Sequence, residues 1–331
     1  METTPDTRAP ARGLARLLPV LALAVFAPVC AEYLSGYDTS TGNPLDLLGN
    51  LFVFIPLYGC AAILIRETAR RFGLGWPGVL ALATALGIVQ AGILDQSMFS
   101  AGYRDIDYWD AMIGPTWIEP LGLAAATTLG FVFGHVVMSF TAPIVLVEGL
   151  HPRLAERPWL RLPGLIVTAA LYLTAAWFVL RWHLVTETDH ASPAQITGAA
   201  IIAAILIVLA LTLGRRRSQQ VQRRVPHPWI LVPATAAAAF TFGWEPTWAG
   251  VAYSVAILIG GGTLIAYWSR SRTWDRRHVI ALATGALLAT AASGFLTVPL
   301  GDVPLVAKYA HNTVAAVGVL ALGWGAMRRG R

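Results

Sequence analysis

His135 is the residue best placed for chemistry. It stands in a stretch, Leu121 to Val147, that contains no charged residue. An imidazole titrates near neutrality, so a histidine inside a bilayer suits proton carriage or general acid–base work. Helical spacing puts Ser139 one turn below it and Thr128 two turns above it on the same face. Other polar residues interrupt the neighbouring apolar stretches. Glu32 ends the first, Asp46 stands at the mouth of the second with Asn50 further in, and Pro56 and Tyr58 lie deeper. Gln90 lies in the third, which ends at Asp95-Gln96, and His311-Asn312 opens the last. A polar group inside the span is costly, so each is a candidate for function. Glu32, Asn50, Gln90 and Asp95 all fall within roughly two turns of one membrane surface. Their convergence on one outward-opening polar cavity is the expectation, and the candidate polar site is Glu32, Asn50, Gln90, Asp95, His135, Ser139 and His311. The plainer readings are solvated helix ends for the acids and interhelical hydrogen bonds for the amides. For His135 the plainer reading is a local bond to Ser139.

The connection from Asp95 to Pro120 is long and rich in aromatic residues. Loops of that length are usually functional. Tyr103, Tyr108, Trp109 and Trp117 suit a short helix lying in the outer interface. Asp105, Asp107 and Asp110 form a D-x-D-x-x-D pattern, a candidate cation site if the three carboxylates close on one ion. On a helix, residues two apart point different ways, and a solvated acidic face is the competing expectation. No resident metal or cofactor is expected. H-E-x-x-H, G-x-S-x-G, C-x-x-C and P-loop patterns are absent from the chain. Cys30 and Cys60 fall at different depths of their segments, which predicts two buried free thiols.

The elements that must position these residues are membrane helices. The chain has 331 residues, is 56% hydrophobic and only 13% charged, with a mean hydropathy of +0.60. Ten apolar segments predict an all-α polytopic bundle. They are Leu17 to Leu34, Leu45 to Ile65, Trp76 to Leu94, Leu121 to Val147, Pro163 to Leu180, Ile196 to Leu213, Trp229 to Phe242, Trp248 to Trp268, Val279 to Leu300 and Tyr309 to Met327. The seventh is short and interrupted by Pro233. A single transmembrane domain over 17–327 is expected, between cytoplasmic tails at 1–16 and 328–331. Within it, 17–180 carries the polar residues and 196–327 is rich in Ala and Gly. Small residues such as those of Gly260-Gly261-Gly262 and ATGALLATAASG let helix backbones pack closely. The first segment also resembles a signal peptide, with Val29-Cys30-Ala31 after an apolar run, and an uncleaved first span is the expectation.

Twenty-one of the 24 basic residues lie in every second connection, among them RETARR, HPRLAERPWLR, RRRSQQVQRR and SRSRTWDRR. Only Arg104, Arg181 and Lys308 fall on the other side, with twelve of the 18 acids. Basic residues stay cytoplasmic during insertion, so both termini are expected inside and the outer face is acidic. The net charge of +6 is thereby explained by topology, without a nucleic-acid partner. The expected partners are the bilayer and a small-molecule or lipid substrate. The expected location is the bacterial cytoplasmic membrane.

PLYGCAAILIRETARRFGLGWPGVLALATALGIVQAGILDQSMF, followed by FGHVVMSFTAPIVLVEGL, resembles a bacterial family of uncharacterised polytopic membrane proteins, over about Leu45 to Pro163. In such relatives the resemblance implies an acidic pair where this chain has Gln90-Ala91, and a histidine at His135. A glutamate pair on one span with histidine on the next is distantly similar to the CPBP (Abi) intramembrane proteases. Their E-E-x-x-x-R motif is absent here, Gln90 is no base, and His311 lacks the partner spacing. Two readings follow. One is a transporter or small-molecule-binding membrane protein with an outward polar cavity, which is favoured. The other is an intramembrane hydrolase or lipid-modifying enzyme using His135 with outer carboxylates. A carrier predicts two pseudo-symmetric halves, and an enzyme predicts one asymmetric site.

Overall fold

The computed structural model describes residues 13–215 and 220–330. The tail with Arg8 and Arg12, the loop positions Arg216 and Arg217, and Arg331 lie outside the described residues. The chain is an all-α bundle. In order, the helices are α1 (Arg16–Tyr33), α2 (Pro44–Phe72), α3 (Trp76–Leu94), the short α4 (Trp109–Ile113) and α5 (Ala125–Leu150). Then come α6 (Leu162–Thr186), α7 (Pro193–Leu213), α8 (Pro228–Thr241), α9 (Trp248–Trp268), α10 (Arg276–Ser293) and α11 (Leu305–Arg329). Eight are long and apolar enough to cross a membrane. Of the remaining long rods, α8 has only 14 residues around Pro233 and α10 has 18 residues opening on two arginines.

Local sequence sets the ends. Asn43 caps α2 by accepting the Leu45 N–H, with Pro44 at the first turn. Gly73, at φ 63°, closes α2 in the left-handed conformation that glycine adopts without strain. Ser192 and Gln195 form a capping box at α7, and Asp275 caps α10. Some expected boundaries shift. The fourth segment starts at Ala125, not Leu121, because Trp117–Ile118 (β1) and Leu123–Ala124 (β2) pair as an antiparallel hairpin. The ninth stops at Ser293, short of Leu300.

The first four long helices are not regular. Each contains a π-helical turn: Val29–Tyr33 in α1, Ile55–Gly59 in α2, Gln90–Leu94 in α3 and His135–Thr141 in α5. Among the described residues no other helix has one. Three turns adjoin a proline: Pro28, Pro56 and Pro143. Proline offers no N–H to the carbonyl four residues back, and its ring crowds that carbonyl, so the helix must widen locally. Pro28 leaves the Ala24 carbonyl without its usual donor. Gly59, in the π turn of α2, packs against that carbonyl so closely that a Cβ there would fall 2.2 Å from it. The turn in α1 and the turn in α2 are therefore fitted to each other.

α5 is the hub, packing on α1, α3, α10 and α11. One core lies among α1, α2, α3, α5, α6 and α7, and a second among α5, α8, α10 and α11. The Ala-rich face of α10 is buried as expected, with Gly285 against the backbone of α8. Gly260, Gly261 and Gly262 depart from the packing expectation. They have no neighbour within 4 Å, and only 6% of the most apolar window of α9 is buried. Cys30 and Cys60 are buried free thiols.

The long loop between α3 and α5 is anchored by the α6–α7 connection. Gln96 Oε1 accepts the Ala191 N–H at 2.7 Å, and the Arg104 N–H donates to Glu187 Oε2 at 2.9 Å. Ser100 Oγ and the Ala101 N–H both donate to Asp189. These ties hold three non-glycine residues, Gln96, Arg104 and Asp105, at positive φ of 49–53°, a costly backbone that persists only where its surroundings enforce it. Trp109 is buried under the loop rather than lying in the interface. It donates from Nε1 to the Ser100 carbonyl at 3.1 Å and stacks on Phe131.

Candidate functional site

The four π turns carry the candidate residues: Glu32 in α1, Tyr58 in α2, Gln90 in α3, His135 and Ser139 in α5. Asp95 caps the turn of α3. A π turn offsets the side chains around it from the regular helical faces, and such turns recur at functional sites. The Tyr37 hydroxyl donates to Glu32 Oε2 at 2.7 Å, and the Tyr58 hydroxyl lies close to Glu32. On its other side the Tyr58 ring stacks on His135, centroids 6.0 Å apart. His135 Nδ1 lies 3.3 Å from Ser139 Oγ. A line of neighbouring side chains thus runs from Tyr37 through Glu32, Tyr58 and His135 to Ser139.

Asp95 joins from the loop side. Its Oδ1 accepts the Ser97 N–H at 2.9 Å, and it lies within electrostatic reach of Glu32, Tyr58 and Tyr103. Burial pushes the Asp95 carboxyl up to about 6, against hydrogen bonds from Ser97 and with the Glu32 charge adding to the rise. The negative charge of Glu32, with burial, likewise raises the Tyr37 hydroxyl. Burial raises that of Tyr103, with Asp95 adding. Neither Glu32 nor Asp95 has a salt-bridge partner among the described residues. Arg104, exposed at the loop, is the cation both carboxylates feel.

The other candidates fall elsewhere. Gln90 is buried 3% exposed and makes no side-chain hydrogen bond among the described residues. Asn50 is half-buried on α2, whose first eleven residues bury no side chain, and makes none either. His311 does not join the line. Its Nε2 faces the Tyr33 carbonyl at 2.7 Å and its Nδ1 accepts the Gly42 N–H at 3.4 Å. With both nitrogens meeting backbone groups, the ring is a latch holding α11 to the end of α1. Asp105, Asp107 and Asp110 are exposed, and no group of three or more His, Cys, Asp or Glu that could hold a metal forms among the described residues. Asp105 sits in left-handed backbone while Asp110 belongs to α4, so their spacing never closes into one loop.

A second polar cluster escaped the sequence reading. RETARR reads as a basic connection, yet it forms the last turns of α2, with Arg66 and Glu67 wholly buried. Arg66 donates from Nε to Glu148 Oε1 at 3.0 Å, from Nη1 to Glu67 at 2.7 Å, and from Nη2 to the Leu154 and Ala155 carbonyls. Its guanidinium lies 3.6 Å from the centroid of the Trp159 ring. Arg70 also binds Glu148, Arg71 binds Glu67 at 2.7 Å, and the Trp159 and Leu160 N–H groups donate to Glu67. The signal available was Glu148, an acid inside the apolar run VLVEGL.

No curated protein and no solved structure matches the chain. The integral membrane character, the all-α bundle and the uncharacterised relatives converge on one assignment: the chain belongs to an uncharacterized membrane protein family, whose model matches residues 21–327.

Proposed function

We propose that the protein binds a small organic cation from the outer side of the membrane, at the carboxylates of Glu32 and Asp95, as a transporter or membrane receptor. The observation that carries this reading is that Glu32, held by the Tyr37 hydroxyl, and Asp95, held by the Ser97 N–H and within electrostatic reach of Glu32, have no salt-bridge partner among the described residues. Two such charges repel, and a bound cation relieves that repulsion. Tyr37, Tyr58 and Tyr103 around them add aromatic side chains of the kind that suit an amine. Thr128 Oγ1, two turns before His135, is buried without a partner among the described residues and offers a further hydrogen bond. The reading places ten spans in the bacterial cytoplasmic membrane with both termini inside, the polar half at 17–180 and the packing half at 196–327. Reporter fusions after Arg224 and Arg277 should both read as cytoplasmic. The binding test is a melting-temperature screen of purified protein against small amines and small carboxylates. Amines should stabilise the native chain and not Glu32→Gln. Equal stabilisation by carboxylates, or amine stabilisation that survives Glu32→Gln, overturns the reading.

The line from Glu32 through Tyr58 to His135 and Ser139 favours a second reading, an intramembrane enzyme using His135 as acid–base group. The asymmetry of the two halves also supports it. Turnover of a lipid or peptide that His135→Gln abolishes, while amine stabilisation persists, would select it.

A further inference from the structure

We infer that a groove between α8, α10 and α11 is a binding site for one anionic glycerophospholipid from the arginine-rich side of the membrane. The groove encloses about 360 Å³ and is lined by Trp229, Val232, Thr284, Val317, Ala321 and Trp324, among others. Apart from the indole N–H groups of Trp229 and Trp324 at its border, Thr284 is its one polar side chain, and that hydroxyl is satisfied by the Ile280 carbonyl at 2.8 Å. The interior therefore offers an acyl chain contact and a polar solute nothing. Trp229 and Trp324, ring centroids 5.3 Å apart, border it near the arginine-rich ends of their helices, where indoles sit at headgroup level.

The charge lies at the same end. α10 and α11 pack antiparallel along one seam. A Cβ at Gly323 would touch Thr284, and a Cβ at Gly330 would lie 3.7 Å from Arg277 Cγ. Seven residues separate the members on each helix, so Arg277 stands about 10 Å along the seam from the groove's polar floor. Arg277 Nε is buried without a hydrogen-bond partner among the described residues. Arg328 lies with its guanidinium 5.5 Å from the Trp324 ring and has no carboxylate partner among them. Their chain neighbours differ. Arg276 binds Glu156 and the Pro152 carbonyl, and Arg329 binds the Leu150 carbonyl. Of these four arginines, Arg277 and Arg328 are the two without a protein acceptor among the described residues, and both stand at the arginine-rich end of the apolar groove. A phosphate there would meet two guanidinium groups while its acyl chain follows α11, as in other basic pockets between membrane helices.

This inference is independent of the amine site. Native mass spectrometry of the purified chain, with equal phosphatidylglycerol and phosphatidylcholine added, tests it. The native chain should retain phosphatidylglycerol preferentially. Arg277→Ala and Arg328→Ala should each weaken that retention about five-fold. Ala321→Trp, which fills the groove from an exposed position, should remove it. Val317→Asn, which makes the groove polar without bulk, should do the same if the tryptophan variant does not fold. Equal retention of both lipids, retention untouched by all four substitutions, or a dimer that Ala321→Trp dissociates would overturn it.

Discussion

The same two helices, α2 and α5, build two polar clusters at opposite ends, and the clusters differ in saturation. At the arginine-rich end, Arg66, Arg70 and Arg71 match Glu67 and Glu148, and backbone groups take the remaining bonds. At the other end, Glu32 and Asp95 meet tyrosine hydroxyls and one backbone N–H, with no salt bridge among the described residues. A buried ionic network whose members are all paired locks a structure. A cluster of acids left without counter-charge is an open half of an interaction. The helix geometry follows the same division, since the π turns lie in the unsaturated region and regular helix runs through the saturated one.

The largest effect should come from breaking the saturated cluster. Glu148→Ala leaves Arg66 and Arg70 without their shared carboxylate and should cost about 3–5 kcal/mol, seen as a steep fall in melting temperature in detergent and in folded yield. A variant that melts like the native chain would erase the contrast between the two ends. Glu32→Gln should do the reverse. It keeps shape and hydrogen bonding, so the melting temperature should hold or rise, while amine affinity should fall about 10- to 100-fold. Loss of folding with Glu32→Gln would make the Glu32–Asp95 cluster structural as well.

Asp95 sharpens the comparison through pH. Its carboxyl is raised to about 6 in the folded chain, so the folded state holds this proton more tightly than the unfolded one. That contribution to stability is present at low pH and is lost as pH rises through about 6. Amine binding should run oppositely, strengthening as Asp95 ionises across the same window. Asp95→Asn should flatten both profiles, and profiles unchanged in that variant would remove Asp95 from the site. The smallest effect is expected at His311. His311→Ala loses two hydrogen bonds to backbone, about 1 kcal/mol each, and should leave amine affinity untouched. A binding defect there would extend the site to α11.

Hydropathy made the ten rods legible, because an apolar run of sufficient length has few alternatives to a helix in lipid. Polar residues inside those runs marked Glu32, Asp95, His135 and Ser139, which the fold brings together. The same rule also chose Asn50 and His311, because it reports cost and not direction. Local shifts of face at the π turns are invisible to regular helical spacing, and Tyr58 stands in one such turn. The Arg66 network was hidden by a competing signal. Arginine at a segment end satisfies the topology rule whether it meets water or a buried glutamate. The hairpin at Trp117–Ala124 was missed because its second strand, Leu123–Ala124, runs without a break into the apolar helix that follows.

The π turns also bear on how chain length is counted. Such a turn lodges one residue more than a regular helix needs to cover the same rise. Each residue advances an α-helix by about 100°. Deleting one residue within Ile55–Gly59 would therefore restore regular winding across the turn while the remainder of α2, with its arginines, keeps its direction, so the change falls on the side chains of the turn itself. A homologue without Pro56 should accordingly be one residue shorter in that helix, so that a single-residue gap in an alignment marks a change in the site rather than in a loop.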